Sequence, residues 1–367
     1  MLRVILLFLL IGTVTSQPRQ TSPTFEELST RAQKAYEAER TQEAADLYAS
    51  AVRLRPDWTQ GWWAIGMIEY QRDRYPECRD ALKRMIALDV SAAPGFALLG
   101  LCEFRIKQYD VAFQHLKKAH MLVPATQPGG PLLDMADYHL ALLLAQQGAF
   151  ELAQDLLMRV ARKVHDNSDM SFAAGLSSLR IPVLPSDVLP DERDAVTMAG
   201  KAFWDLVTQP PDQAEADFRA LISKYPKFPN VHYFYGTYLA ARRPEECAPE
   251  FLKELSIAPD SVPARVQLAL HYVLEGKLDQ ALKLAREAVA LSPDSVGAHL
   301  ALAKTLRTTG DNKGALVSYL AAEKLDPLSP AIRLQIVNVY RALDRVEDMR
   351  REKAEYDRLK TEQANWP

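Results

Sequence analysis

Prolines recur along this sequence at a nearly constant interval. Pro259, Pro293 and Pro327 stand 34 residues apart, and Pro56 and Pro124 are separated by 68 residues, twice that interval. A fixed period of about 34 residues is typical of arrays of helical hairpins, in which each unit buries its apolar face only against its neighbours. The period therefore predicts an all-helical chain of stacked hairpins.

Between the prolines, small and aromatic residues repeat in a fixed order. In the unit that ends at Pro327, Ala303 comes first, then the turn residue Gly310, then Ala315 and Tyr319. This order resembles the tetratricopeptide repeat, a pair of helices of about 34 residues. The resemblance implies an all-α, right-handed superhelical solenoid. We count about nine units, which begin near Phe25, Thr59, Ala93, Asp134, Ala195, Pro229, Val262, Val296 and Pro330.

Small residues recur where the two helices of each hairpin have to cross. Close crossings need small side chains, because the two backbones approach each other while larger residues fill the flanks. We therefore predict that these positions are buried. In the first helices they are Ala32, Gly66, Gly100, Ala141, Ala202, Gly236, Ala269 and Ala303. In the second helices they are Ala44, Cys78, Ala112, Ala153, Ala214, Cys247, Ala281 and Ala315.

Helix starts are marked by capping residues. Ser261 and Ser295 follow repeat prolines at the places where N-caps are expected, and Ser329 comes directly before Pro330. A serine hydroxyl at an N-cap accepts a hydrogen bond from a backbone N–H of the first turn, and proline is favoured in that turn. We expect all three serines to cap helices.

Two proline-rich segments interrupt the repeat. The first covers residues 124–131, and the second lies within residues 168–194, where three prolines prevent a helix from continuing. We expect residues 168–194 to form an extra helix and a linker between four units over 25–167 and five units over 195–367. The sequence allows either one continuous superhelix or a hinge at this linker. The charged end of the last unit is typical of a polar capping helix.

The first residues predict export. An apolar run from Val4 to Ile11 follows Arg3, and small or β-branched residues come next, as at a signal cleavage site. We interpret residues 1–16 as a signal peptide and residues 17–24 as a linker, so that the mature chain would be periplasmic, extracellular or in a secretory lumen. The run is shorter than the roughly 20 residues of a membrane span, which makes an uncleaved anchor the less favoured alternative. No membrane span is expected after cleavage.

Charge and motifs argue against other classes of function. The net charge is -3, whereas a nucleic-acid-binding surface normally carries a basic excess, so no nucleic-acid partner is predicted. The sequence contains no nucleophile elbow, phosphate loop or zinc-binding helix motif. His115 and His120 stand five residues apart, a spacing that does not align two rings on one helix face. We therefore predict no enzymatic activity, no metal site and no cofactor.

The family resemblance implies where a ligand would bind. In tetratricopeptide arrays the first helices line a concave groove that receives peptides or partner helices. Projected onto that face, this chain offers an aromatic set followed by a polar and basic set: Tyr36, Trp63, Met67, Tyr70, Phe104 and Tyr138, then Lys304, Arg307, Asn338 and Arg341. An extended ligand that is apolar at one end and acidic at the other would fit both sets.

One specific role within the family is not implied. Some tetratricopeptide proteins grip the terminal carboxylate of chaperones with a Lys-Asn pair in the first unit, and the matching places here hold Ser29 and Gln33. The predicted function is therefore general: an exported scaffold or adaptor that binds a protein or peptide through its groove. The alternative is a non-catalytic regulatory or substrate-presenting subunit of an exported or envelope enzyme complex.

Overall fold

The computed structural model describes residues 23–123, 129–164 and 167–362. The predicted signal peptide, residues 1–16, and most of the linker 17–24 lie outside these ranges. Within the described ranges the regular elements are nineteen α-helices and two short 3-10 turns, without a strand, as the repeat pattern predicts. None of these helices is long and apolar enough to cross a membrane. The chain divides after Asp89 into two compact units.

The first compact unit contains four helices: α1 (Phe25–Glu37), α2 (Thr41–Leu54), α3 (Thr59–Gln71) and α4 (Tyr75–Leu88). A reciprocal cap starts α1, because Thr24 Oγ1 accepts from the Glu27 amide and Glu27 Oε2 accepts from the Thr24 amide. Helix α1 packs on α2, and α3 packs on α4. Their core is built from Ala32, Ala35, Ala44, Ala45, Tyr48 and Ile68.

The second compact unit continues the hairpins. Its helices are α5 (Ala93–Arg105), α6 (Tyr109–Leu122), α7 (Gly130–Gln146), α8 (Phe150–Ala161), α9 (Ser168–Ser178), α10 (Arg193–Thr208), α11 (Pro211–Lys224), α12 (Val231–Arg242), α13 (Cys247–Ile257), α14 (Val262–Leu274), α15 (Leu278–Leu291), α16 (Val296–Thr308), α17 (Asn312–Leu325), α18 (Pro330–Ala342) and α19 (Val346–Glu362). Except for α9, consecutive helices pair into hairpins, from α5 with α6 to α18 with α19.

The predicted crossing positions are confirmed. All sixteen residues named above are buried, and most of the alanines have no exposed surface. Glycine shows how close the helices come: a Cβ atom on Gly100 would lie 2.6 Å from Leu116 Cγ, and one on Gly236 would lie 2.6 Å from Phe251 Cε1. A larger side chain at these places would have to push the second helix of the hairpin away.

The capping predictions are confirmed for two of the three serines. Ser261 Oγ accepts from the Ala264 amide at 3.4 Å, and Ser295 Oγ accepts from the Ala298 amide at 3.2 Å. Ser329 makes no side-chain capping bond, so that prediction is wrong. Pro330 already occupies the first position of α18 and supplies the helical φ there without needing a capped N–H.

Residues 168–194 contain the extra helix α9, followed by a 3-10 turn at 185–187. Helix α9 packs mainly against α10 and also contacts α7 and α8. Its crossing with α10 is closer than the hairpin crossings at Gly66, Gly100 and Gly236: a Cβ on Gly175 would lie 2.0 Å from Val196 O, and one on Gly200 would lie 2.1 Å from Ser171 O. Backbone therefore meets backbone at this crossing.

Helix α19 closes the second compact unit. Leu359 is its one buried residue, and acidic and basic side chains alternate along the rest of the helix. Several of them form ion pairs within the helix three or four residues apart, such as Lys353 with Asp357 at 2.7 Å. A helix of this kind covers the apolar face of α18 while its own outer face stays polar.

Candidate functional site

The aromatic set of the first compact unit lies mainly on one face of α3. Trp63, Met67 and Tyr70 follow each other at intervals of four and three residues, and each is partly exposed. Tyr36, on α1, packs against the core cluster of that unit. The Tyr70 ring meets the Tyr75 ring edge-on, with centroids 5.6 Å apart. This face offers a partly exposed indole and thioether beside a ring that also packs within its own hairpin.

In the second compact unit the two predicted aromatic residues take part in packing between helices. Phe104 lies between two rings, with its centroid 5.2 Å from that of Tyr109 and 4.6 Å from that of His139. Tyr138 contacts His139 at 4.8 Å, and burial raises the pKa of Tyr138 to about 12. Both side chains keep some exposed surface, but much of each ring is used in packing.

Two members of the basic set, Lys304 and Arg307, line a cavity of about 630 Å³, whereas Asn338 and Arg341 are not among its lining residues. Three first helices and Tyr319 of α17 surround this cavity. Val266 and Leu270 from α14, Val296 and Leu300 from α16, and Ile332 from α18 give it an apolar floor. Lys304, Arg307 and Gln335 also line it, together with one carboxylate, Asp326, which forms no ion pair with either cation. Ligand sites in proteins commonly have volumes of about 300–1,000 Å³ and combine an apolar lining with a few polar groups. We call this cavity the basic groove.

The cations of the basic groove are not neutralised by the protein. Lys304 and Arg307 are exposed, and within the described residues neither has a carboxylate at ion-pair distance. Arg307 Nη1 donates instead to Gln335 Oε1 at 3.1 Å, and Arg341 Nη1 donates to Asn338 Oδ1 at 3.5 Å. Neutral side-chain amides thus accept hydrogen bonds from the two guanidinium groups, and the positive charges remain free to pair with a ligand.

A neighbouring arginine shows the opposite arrangement. Arg333 lies on another face of α18, is largely buried, and pairs with Glu323 at 2.6 Å and with Glu352 at 2.9 Å. A buried charge needs such partners, because its desolvation is otherwise uncompensated. Arg333 is therefore a structural cation, whereas Arg307 and Arg341 carry charge that the fold does not use.

A second cavity was missed by the sequence reasoning. It measures about 420 Å³ and lies between α8, α10 and α12. Met158, Phe203, Leu206, Val207, Phe234 and Tyr238 form its apolar surface, and Arg162 and Arg242 lie at its edge. We call it the junction cleft, because it lies where α9 interrupts the repeat. The interruption was visible in the sequence, but the residues around it gave no sign that they would face a common space.

The fold also brings together a cysteine, a histidine and a glutamate. Cys247 Sγ lies 3.3 Å from His271 Nδ1, and His271 Nε2 lies 3.4 Å from Glu275 Oε1. A catalytic cysteine needs an accessible thiolate. Here the thiol has no exposed surface, and burial raises the pKa of Cys247. The three side chains therefore form a buried polar contact between α13 and α14 that lacks the properties of a nucleophile.

Comparisons with known proteins agree with this architecture. A family model described as tetratricopeptide repeat matches residues 29–95, which include most of the first compact unit, and residues 266–330, which run from α14 to α18. No curated protein sequence matches the chain.

Several solved structures show some likeness. A MamA RS-1 double mutant is 16% identical, with 46% of this chain and 96% of the MamA chain covered and a TM-score of 0.41. Yeast Tom70 is 11% identical, with 92% and 76% covered and a TM-score of 0.40. A chain of the Cut9-Hcn1 hetero-tetramer of the APC/C is 13% identical, with 92% and 73% covered and a TM-score of 0.34. The hairpins and their buried small-residue crossings show an all-α array of helix pairs, and its two matched segments are similar to the tetratricopeptide repeat.

Proposed function

We propose that the protein is an exported, non-catalytic scaffold whose basic groove binds an acidic segment of a partner protein. The observation that carries the proposal is the presence of exposed cations without acidic partners beside an apolar cavity. Lys304 and Arg307 stand at that cavity, and Arg341 lies on the next first helix. An occupant that matches this surface has bulky apolar side chains next to carboxylates.

The physical argument separates two contributions to binding. The apolar floor would stabilise the complex by removing ligand surface from water, which depends little on salt. The guanidinium groups would pair with carboxylates in charge-assisted hydrogen bonds, and exposed pairs of this kind weaken as salt is added. Helices α14, α16 and α18 are successive first helices, and all three line the cavity. An extended ligand of about eight residues is roughly 26 Å long, which is enough to cross more than one of them.

The test uses a fluorescein-labelled peptide of about eight residues, with leucines in its first half and glutamates in its second half. We expect the double variant Arg307→Glu with Arg341→Glu to weaken binding about tenfold or more at low salt. The difference should nearly vanish near 1 M salt, where the screening length is about 3 Å. Fluorescence anisotropy measures both affinities.

The matched control reverses two charges elsewhere in the same compact unit. Lys283 and Arg286 are exposed on α15, and neither forms an ion pair with a described residue. The variant Lys283→Glu with Arg286→Glu should therefore bind the peptide nearly as the parent protein does. Equal losses in both double variants would show that only net charge matters, and an unchanged affinity in the first would end the case for the basic groove.

The aromatic face of α3 is proposed as a separate contact. Trp63 is partly exposed, and large aromatic side chains supply much contact area at a low entropy cost. We expect Trp63→Ala to weaken binding of a natural partner by about 1–3 kcal/mol, nearly independently of salt, whereas Trp63→Phe should retain most of the affinity. Isothermal titration at two salt concentrations tests this, and a strongly salt-dependent loss would contradict an apolar contact.

Export is the remaining part of the proposal, and it rests on the sequence of residues 1–16. The charged start, the apolar run and the small residues after it are typical of a signal peptide. N-terminal sequencing of the mature protein should therefore begin near Gln17. Recovery of a chain with an intact Met1 from a membrane fraction would instead establish an uncleaved anchor.

A further inference from the structure

The junction cleft exists because the repeat is irregular there. In regular parts of the second compact unit, the second helix of one hairpin packs against the first helix of the next, as α15 does against α16. The first helices of two successive hairpins can also be in contact, as α14 and α16 are. At the junction α9 takes the place beside α10, and α8 keeps only a small contact with α10. A face of α8 is thereby left open to solvent.

The walls of the cleft are apolar and partly accessible. Phe203, Phe234 and Tyr238 form a buried base, with 2%, 6% and 6% of their surfaces exposed. Above that base, Met158, Leu206 and Val207 are only half-buried. The volume of about 420 Å³ is within the usual range of ligand sites. The cleft can thus take up bulky apolar side chains.

The edge of the cleft carries two arginines and no acid. Arg162 ends α8, Arg242 ends α12, and none of the described residues that line the cleft is Asp or Glu. Neither arginine forms an ion pair with a described residue. The guanidinium of Arg242 lies 5.4 Å from the centroid of the Tyr238 ring, which holds it near the cleft without neutralising it.

Two other arginines of the same unit, Arg219 and Arg243, do form ion pairs. Arg219 lies 2.7 Å from Glu215, and Arg243 lies 2.9 Å from the same carboxylate. Arg243 directly follows Arg242, so a neighbouring position in the chain receives an acidic partner and the one facing the cleft does not. Unpaired charge next to an apolar surface is the complement of an acidic, amphipathic segment.

We propose that the junction cleft is a second docking site, which takes a segment of a partner polypeptide with a bulky apolar side chain flanked by Asp or Glu. The apolar side chain enters the cleft over Phe203, and the flanking carboxylates pair with Arg162 and Arg242. The proposal shares with the proposed function the idea that the partner is a protein, but it uses none of the residues of the basic groove. The two sites therefore can be tested separately.

Met158 provides a local reporter, because it is the one methionine among the described residues that lines the cleft. The probe is a peptide of about eight residues with a central phenylalanine between glutamates. In protein labelled at the methionine methyl groups, this peptide should shift the Met158 NMR signal, which is assigned by its loss in Met158→Leu. The signal of Met170, which is buried in α9, serves as an internal control and should stay in place.

Charge-reversal variants connect that shift to the arginines. We expect Arg162→Glu with Arg242→Glu to raise the peptide concentration needed for half of the Met158 shift about tenfold or more at low salt. For Arg162→Lys with Arg242→Lys, this concentration should lie between those of the reversed variant and the parent protein, because lysine keeps the charge but loses the bidentate geometry. Lys283→Glu with Arg286→Glu is again the matched control and should behave as the parent protein.

Other outcomes overturn the inference in distinct ways. If the peptide moves Met158 equally in the reversed variant and in the parent, the arginines have no role in docking. If a small aromatic acid such as phenylpropionate moves Met158 as strongly as the peptide, the cleft is a small-molecule site. If binding of the peptide is weakened only by Arg307→Glu with Arg341→Glu, the junction cleft is refuted as its docking site and the basic groove is supported. If neither double variant weakens binding of the peptide, both proposed sites are refuted.

Discussion

Gly200→Ala should loosen the packing of α9 on α10. A Cβ atom on Gly200 would lie 2.1 Å from Ser171 O and 2.7 Å from Ser171 C. Ordinary contacts of a carbon atom lie near 3.5 Å, so the two helices would have to separate by about 1 Å or more. The obstacle is backbone within a helix, which cannot turn aside as the end of a flexible side chain can.

The expected change is the difference between two opposing effects. Adding a methyl group to a tightly packed crossing usually costs about 1–3 kcal/mol, and a backbone obstacle places this site at the upper end. Alanine inside a helix is favoured over glycine by about 0.8–1.0 kcal/mol, which offsets part of that loss. The free energy of unfolding should therefore fall by about 2 kcal/mol. Gly175→Ala affects the same crossing, and the double variant should cost less than the sum, because the helices separate only once.

Urea denaturation followed by circular dichroism gives the change in stability, and hydrogen exchange shows where it occurs. In Gly200→Ala the amides of α9 should exchange faster than those of α16, which is far along the array. The matched control is Gly297→Ala, because Gly297 lies in α16 and a Cβ there has only Ser295 Oγ within reach, at 3.9 Å. That variant should be stabilised by about 0.5–1 kcal/mol. If Gly200→Ala were also more stable than the parent, the close crossing of α9 and α10 would be wrong.

Three further variants test other parts of the fold. Ala281→Leu, at a fully buried crossing of α14 and α15, should lower the melting midpoint by overpacking, at a cost of about 1–3 kcal/mol. Asp311→Ala removes the bond from the Gly314 amide to Asp311 Oδ1, 2.8 Å long, and should lower the free energy of unfolding by about 1 kcal/mol, whereas Asp311→Asn should not. Burial lowers the pKa of His139 to about 4, so between roughly pH 6.5 and pH 4 the unfolded chain binds the extra proton and stability falls as the pH falls. His139→Gln should flatten the dependence of the urea midpoint on pH in that window.

The hairpin crossings could be predicted from the sequence because the requirement there is local and repeated. Each crossing needs one small residue at a fixed place in each helix, so Gly66 and Cys78 are recognised by comparison with Ala269 and Ala281 in a later unit. The same logic gave the helix starts at Phe25, Thr59, Val262 and Val296, where the structure begins helices. Ser329 shows the limit, since a serine before a helix can cap it only if its own rotamer and the first-turn amide meet.

The candidate sites depend on contacts that no local pattern records. In the sequence Arg307 and Arg333 are two arginines on neighbouring first helices. The fold gives Arg333 two carboxylates, Glu323 from α17 and Glu352 from α19, and gives Arg307 only the amide of Gln335. The way in which three helices meet decides which cations remain unpaired. Projecting the first helices onto one face could therefore predict a basic groove. It could not tell an arginine that is free to bind a ligand from one that forms ion pairs within the fold.

The junction cleft was harder to predict from the sequence than the basic groove, although the sequence showed the interruption that causes it. The prolines between 181 and 190 indicated an interruption, and an interruption in a repeat array has to leave some face without its usual neighbour. Which face is left depends on where the extra helix packs, and Gly175 and Gly200 decide that by letting α9 approach α10 at backbone distance. With α9 held there, α8 cannot cover α10 in the regular way, and the apolar surface around Phe203 stays open. The irregular segment therefore changes the surface of the array as well as its connection, and a departure from the repeat is where a binding site specific to this chain is best sought.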